Sequence, residues 1–262
     1  MHVSYVIFFD TAGVAVLIIR KEQMEAFQKV AGGNFEDQLV VHFQNIAGER
    51  TAELGEKGLR RVIRYGMQRA DNYDFTLRGP SRFYVETMFI LGSDFDTDPQ
   101  YPWAFDILSD PGKGDEVERA DALHGKLMEF LSTTASPEIR KRSMLVAQKL
   151  LEDAPSEWGD DVDSAMMELA RTIHLEKFEY VGEDRIRLLF EDSENAADFF
   201  GIGNSGGVSL LFGLSFSLGY CCAFDPLFPW IAGGLAHTDP ETRYRVLFEQ
   251  SRIRLNLAVM KL

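Results

Sequence analysis

The segment Asp98-Pro-Gln-Tyr-Pro-Trp103 returns as Asp225-Pro-Leu-Phe-Pro-Trp230, a shift of 127 positions (225 − 98) in a chain of 262 residues. A chain that repeats at close to half its own length reads as one unit built twice, which constrains the fold more than any local propensity. Compared without gaps at this shift, 70–108 and 197–235 share eleven of 39 residues: Ala70, Asp71, Gly79, Phe89, Leu91, Gly92, Asp98, Pro99, Pro102, Trp103, Leu108 and their counterparts. Ordinary composition would give roughly two or three. Upstream the identity fades while apolar positions still coincide, as in Leu39/Met166, Leu59/Ile186 and Val62/Leu189. A period this long predicts two pseudo-equivalent halves, 18–134 and 145–262, and not a solenoid of small repeats. Residues 1–17 stand outside the pattern as an N-terminal extension.

The pattern within each half is helical. Phe35, Leu39, Val40 and Phe43 recur on one helical face, and Thr51 to Ala70 sets Leu59, Val62, Ile63 and Met67 against Arg60, Arg61 and Arg64. Lys21 to Val30 reads as a first helix, stopped by Gly32-Gly33-Asn34. Ser81 to Leu91 and Val208 to Tyr220 read as short apolar helices, and Glu116 to Leu131 and Glu241 to Leu262 as closing ones. Within the motif, Asp98 and Asp225 are expected to cap a helix, with Pro99 and Pro226 in its first turn. Pro102 and Pro229 then hold the chain while Trp103 and Trp230 pack. With both rings interior, truncating either Trp to Ala should cost about 3–5 kcal/mol. His174 to Gly182 reads as a short strand or irregular. The expected fold is all-α, with a short β-hairpin as one reading of the apolar runs Val3 to Phe9 and Val14 to Ile19.

Lys and Arg number 27 against 41 Asp and Glu, a formal net charge of −14. That balance argues against sequence-independent nucleic-acid binding, which needs cations to displace counterions, and suits docking to a basic protein. The two cysteines, Cys221 and Cys222, are adjacent, a poor geometry for a disulfide, so a reduced cytoplasmic protein is expected.

Four features invite sharper readings. Gly203-Asn-Ser205-Gly-Gly207 has the spacing of a nucleophile elbow, but the sequence before it is helical and Ser205 aligns with Arg78 in the first half. Asp94, Asp96 and Asp98 begin like a calcium loop, yet Pro99 and Phe105 occupy the positions where Gly and Glu are needed. Residues 206–224 carry no charge over a length near that of a membrane span, but the matching first-half segment holds Arg82 and Glu86 and reads as a soluble amphipathic helix. The histidines lack zinc-ligand spacing, and no phosphate-binding or dinucleotide string occurs. No metal and no cofactor are expected.

The string Gly66-Met-Gln-Arg-Ala-Asp-Asn-Tyr73, followed by Arg82 to Ala104, resembles a family of bacterial helical proteins often encoded beside type VI secretion spike components and toxic effectors. The resemblance covers mainly 18–131. It implies an accessory role in interbacterial competition, as immunity protein or adaptor, and carries over no catalytic residue. Together with the acidic charge, the expected reading is a non-enzymatic protein that binds a basic effector or spike protein. A homodimer is compatible with the buried apolar helix. The competing class is a secreted effector, acting as a serine hydrolase through Ser205 or by membrane insertion of 206–236.

Overall fold

A side-chain cap, a glycine or a proline opens most of the helices among the described residues, while the helix Arg78–Leu91 starts after Leu77 with no side-chain cap of its own. The computed structural model describes residues 4–10, 13–19, 21–152 and 161–261, with side chains from Gly33 onward. Among these the architecture is all-α apart from one N-terminal β-hairpin. The chain divides into two compact units, Met1–Arg64 and Tyr65–Leu262, with the division inside one helix.

In the first unit, β1 (Ser4–Asp10) pairs antiparallel with β2 (Gly13–Ile19), Asp10 opposite Gly13 at the turn and Ser4 opposite Ile19 at the ends. Helix α1 (Lys21–Ile46) runs straight through Gly32-Gly33, where the sequence predicts a stop. Two glycines cost a helix about 2 kcal/mol together, and the turns on either side carry that cost. Helix α2 (Gly48–Asp71) is broken instead at Gly55 (φ 63°, ψ 167°), a conformation that an L side chain resists. Phe35, Leu39, Val40 and Phe43 of α1 and Leu59, Val62 and Ile63 of α2 are all buried. Along their polar edge, Glu36 binds Arg60 at 3.0 Å and Arg64 at 2.8 Å.

In the second unit come α3 (Arg78–Leu91), α4 (Pro102–Leu108), α5 (Glu116–Thr134), α6 (Pro137–Glu152), α7 (Val162–Ile173), α8 (Leu175–Val181), α9 (Glu183–Phe199), α10 (Ser205–Leu218), α11 (Pro229–Leu235) and α12 (Pro240–Val259). Asp115 and Glu118 close a capping box on α5, while Asp161, Asn204 and Asp239 cap α7, α10 and α12. The segment His174–Gly182, read as strand or irregular, is helical: the His174 ring accepts from the Lys177 N–H at 3.2 Å, and Lys177 and Phe178 are buried. Helix α9 packs on α10 and α7, α12 on α6 and α11, and α5 on α3, α4 and α8.

Several of these limits recur at 127 residues. Helices α3 and α10 both have 14 residues, and α4 and α11 both have 7, each pair starting 127 positions apart. Gly92 (φ 106°, ψ 157°) ends α3 as Gly219 (φ 116°, ψ 159°) ends α10. The capping expectation for the motif is corrected here. The N-caps of α4 and α11 are Tyr101 and Phe228, and the proline in the first turn is Pro102 or Pro229. Asp98 and Asp225 lie upstream of the helices and have other partners.

Candidate functional site

Asp98 and Asp225 are each 2% exposed, and each binds across the chain to the residue after a helix-ending glycine, Tyr220 or Ser93. Asp225 accepts from the Ser93 N–H at 2.8 Å, from the Ser93 hydroxyl at 2.5 Å and from the Leu227 N–H at 2.8 Å. Asp98 accepts from the Tyr220 N–H at 2.8 Å, from the Gln100 N–H at 2.8 Å and from the Gln100 amide at 3.0 Å. Ser93 and Tyr220 are themselves 127 residues apart, so the two bonds are a reciprocal exchange. Gly92 and Gly219 meet at its centre. A Cβ on Gly92 would lie 2.9 Å from the Leu218 carbonyl oxygen, and one on Gly219 would collide with that of Leu91. Close backbone approach, together with positive φ, is what requires glycine at both positions.

Burial dominates the electrostatics of this clasp. It pushes the Asp98 carboxyl up to about 6 against the pull of its hydrogen bonds and of Lys177, and it raises Asp225 as well. Lys177 is 7% exposed; its ammonium donates to the Phe216 carbonyl oxygen at 2.5 Å and faces the Phe216 and Tyr101 rings at 4.9 and 5.5 Å. Burial lowers it to about 8, with the Asp98 carboxylate opposing. Neither tryptophan of the motif is fully interior: the Trp103 ring lies 5.9 Å from Tyr101, and the Arg254 guanidinium sits 4.7 Å from the Trp230 ring. The expected truncation cost falls accordingly. Pro99 and Pro226 lie in the turns between clasp and helix, where no backbone donor is needed.

Asp94 and Asp96 do not form a calcium loop. Asp94 accepts from Tyr65 at 2.5 Å and pairs with Arg69 at 3.0 Å, while Asp96 pairs with the other Arg69 nitrogen and accepts from Tyr73 at 2.8 Å. Among the described residues no cluster of His, Cys, Asp or Glu is arranged to hold a metal ion. The positions 127 residues on carry none of this network. Arg69 gives way to Ala196, Tyr65 to Asp192, Tyr73 to Phe200, Asp94 to Cys221 and Asp96 to Ala223. In place of a filled core there is a cavity of about 230 Å³, lined by Asp192, Ala196, Phe199, Tyr220, Cys221 and Phe224 over a floor that includes Leu189 and Leu211.

The mouth of this cavity is aromatic and acidic. Phe199 and Phe224 are 75% and 58% exposed, with ring centroids 5.0 and 5.3 Å from Phe200. Glu191, Asp192, Glu194 and Asp198 are all exposed along α9. Partial burial and then repulsion from Glu191 raise Asp192; Glu194 is raised by partial burial, then by Asp198 and Glu191. Burial pushes the Cys221 thiol up to about 11, and the fields of Asp94, Asp192 and Asp98 add to it. None of the lining residues is cationic.

Ser205 opens α10 just after its Asn204 cap, and the element before it is helix α9, not a strand. A nucleophile elbow turns from strand to helix, so the hydrolase geometry is not built at Ser205. The glycines around it serve packing, since a Cβ on Gly207 would collide with the Ile202 carbonyl. The charge-free run is divided at Gly219, and no helix among the described residues is long and apolar enough to cross a membrane. The cavity residues escape a motif search. Their signal in the sequence is a mismatch, small or apolar residues standing where the first half keeps an Arg–Asp network. No protein-family model, no curated protein and no solved structure matches the chain.

Proposed function

We propose that this chain is a non-enzymatic protein-binding accessory protein, docking a basic partner on the aromatic and acidic face of α9 and the loop 219–228. One observation carries the reading: Phe199 and Phe224 stand exposed beside four carboxylates that repel one another. Exposed aromatic rings beside a run of carboxylates are a costly surface for an isolated chain and a favourable one for a cationic, partly apolar partner. The helix limits and glycine conformations that recur at 127 residues support two halves derived from one unit. The resemblance to type VI-associated proteins extends the reading to a cytoplasmic immunity protein or adaptor whose partner is a basic effector or spike component.

The test uses the full chain and the double variant Phe199→Asp/Phe224→Asp as paired baits in a producing bacterium, followed by binding of the purified captured protein. The expected partner is basic, binds the unsubstituted chain with an affinity that falls steeply with salt, and loses the variant. Binding that survives the double variant, or that ignores salt, overturns the proposal. Neutralisation of the partner's toxicity separates immunity from delivery. Light scattering that gives twice the chain mass, lost in the variant, would assign the face to a homodimer instead.

A further inference from the structure

We propose that the cavity between α9 and the 220–224 loop receives the guanidinium of an arginine side chain presented by the basic partner. This rests on the reading above, and it names the chemistry that the face would select.

The first reason is size. At about 230 Å³ the cavity is smaller than the roughly 300–1,000 Å³ that enclose drug-sized ligands or cofactors, and it suits a single long side chain. The second is charge. Asp192 lies on the wall, the field of Asp94 reaches the Cys221 thiol on the same wall, and no lining side chain is cationic. Asp192, already raised by partial burial and then by the neighbouring Glu191 carboxylate, therefore faces this space with no lining cation to offset it. The third is shape. Phe199, Phe224 and Tyr220 line the space, and a planar guanidinium packs on aromatic rings better than a compact, strongly hydrated ammonium. Arginine is already used this way in the chain, with Arg254 on Trp230 at 4.7 Å and Arg171 on Phe178 at 4.5 Å.

The fourth reason is an internal precedent. In the first half, Arg69 extends from its own helix into a cage of Asp94, Asp96 and Tyr65. The position 127 residues on is Ala196, which lines the cavity; Cys221 and Ala223 replace the two cage aspartates, and Asp192, at the position of Tyr65, supplies the carboxylate. The site thus has a carboxylate, aromatic walls and an unfilled volume, but no arginine of its own.

The experiment titrates the full chain with N-acetylarginine methylamide, following the methyl signals of Ala196 and Leu189 by NMR. The lysine, citrulline and norleucine analogues serve as controls. The expected result is saturable, roughly millimolar binding of the arginine probe, several-fold tighter than lysine and at least tenfold tighter than citrulline or norleucine. Asp192→Asn keeps the shape and should weaken the probe about tenfold. Ala196→Arg supplies the guanidinium within the chain and should abolish binding. Equal binding of arginine and norleucine, or undiminished binding in properly folded Ala196→Arg, overturns the proposal. The captured partner separates the two readings. If it is lost by Phe199→Asp/Phe224→Asp but unaffected by Asp192→Asn and Ala196→Arg, docking stands and the arginine site falls.

Discussion

Removing the Asp225 carboxylate should unlatch the junction at Gly92 and Gly219. In Asp225→Ala, two buried backbone donors, the N–H groups of Ser93 and Leu227, and the Ser93 hydroxyl lose their acceptor together. An orphaned buried donor costs about 1–3 kcal/mol. Against that stands the relief of a carboxylate that burial has already made unfavourable. The balance is a loss of about 3 kcal/mol, which for a chain of this size lowers Tm by about 6–12 °C. Asp98→Ala orphans the Tyr220 and Gln100 N–H groups and should cost a similar amount. Because the two latches close one pair of abutting glycines, the double variant should lose at least about 1 kcal/mol less than the sum of the singles. Ser93→Ala, which keeps the main-chain bond to Asp225, should cost only about 1 kcal/mol. Urea unfolding followed by circular dichroism measures all four. A loss below about 1 kcal/mol for Asp225→Ala, or additivity within about 0.5 kcal/mol, would refute the reciprocal clasp.

Gly219→Ala should cost about 3 kcal/mol or more, because φ of 116° and the Leu91 carbonyl both exclude a methyl group, whereas Gly213→Ala, with open space at its Cβ, should be neutral or stabilising; comparing their urea midpoints tests this. Trp103→Ala and Trp230→Ala should each cost about 2–3 kcal/mol, below the range for fully interior rings, and thermal melts decide it. Asp98 titrates near 6 when folded against 3.8 as its ordinary value, so its contribution is full below about pH 4 and is lost as pH rises through 6. Asp98→Asn should therefore flatten the stability curve across that interval. Lys177, lowered from 10.5 to about 8, contributes fully above pH 10.5 and loses that contribution as pH falls through 8. Lys177→Met should thus gain on the parent chain between pH 10 and pH 7, and parallel unfolding curves would contradict the assignment.

The helices were legible wherever local chemistry sets their ends. Glu116 starts α5 because Asp115 and Glu118 can only close a capping box there, and the apolar stretch before Gly92 ends where a left-handed residue is available. Gly32-Gly33 misled because a helix tolerates a local cost when adjacent turns carry it, and Gly55 was hidden because one kinked residue leaves the apolar period intact. His174–Val181 was obscure because a seven-residue helix capped by an imidazole nitrogen has too few residues to show a period. The motif aspartates looked like helix caps because Asp-Pro has that local habit. Their partners lie 122 and 132 residues away, and no local pattern records such a bond. Ser205 matched a spacing whose required preceding strand is absent. The cavity is foreshadowed only by a mismatch at the 127-residue register, Ala196 against Arg69 and Cys221 against Asp94, and a mismatch of that kind fits no motif.

The crossed bonds of Asp98 and Asp225 also have a meaning in symmetry. Asp98 bonds to Tyr220 and Asp225 to Ser93, so the same two places in the 127-residue register are joined in both directions, the pattern an isologous contact between subunits also has. Two free subunits in such a contact must be identical, so any residue that empties one interior empties both. Positions within one polypeptide are under no such constraint. Arg69 can therefore pair with Asp94 and Asp96 while Ala196, 127 positions on, lines a cavity.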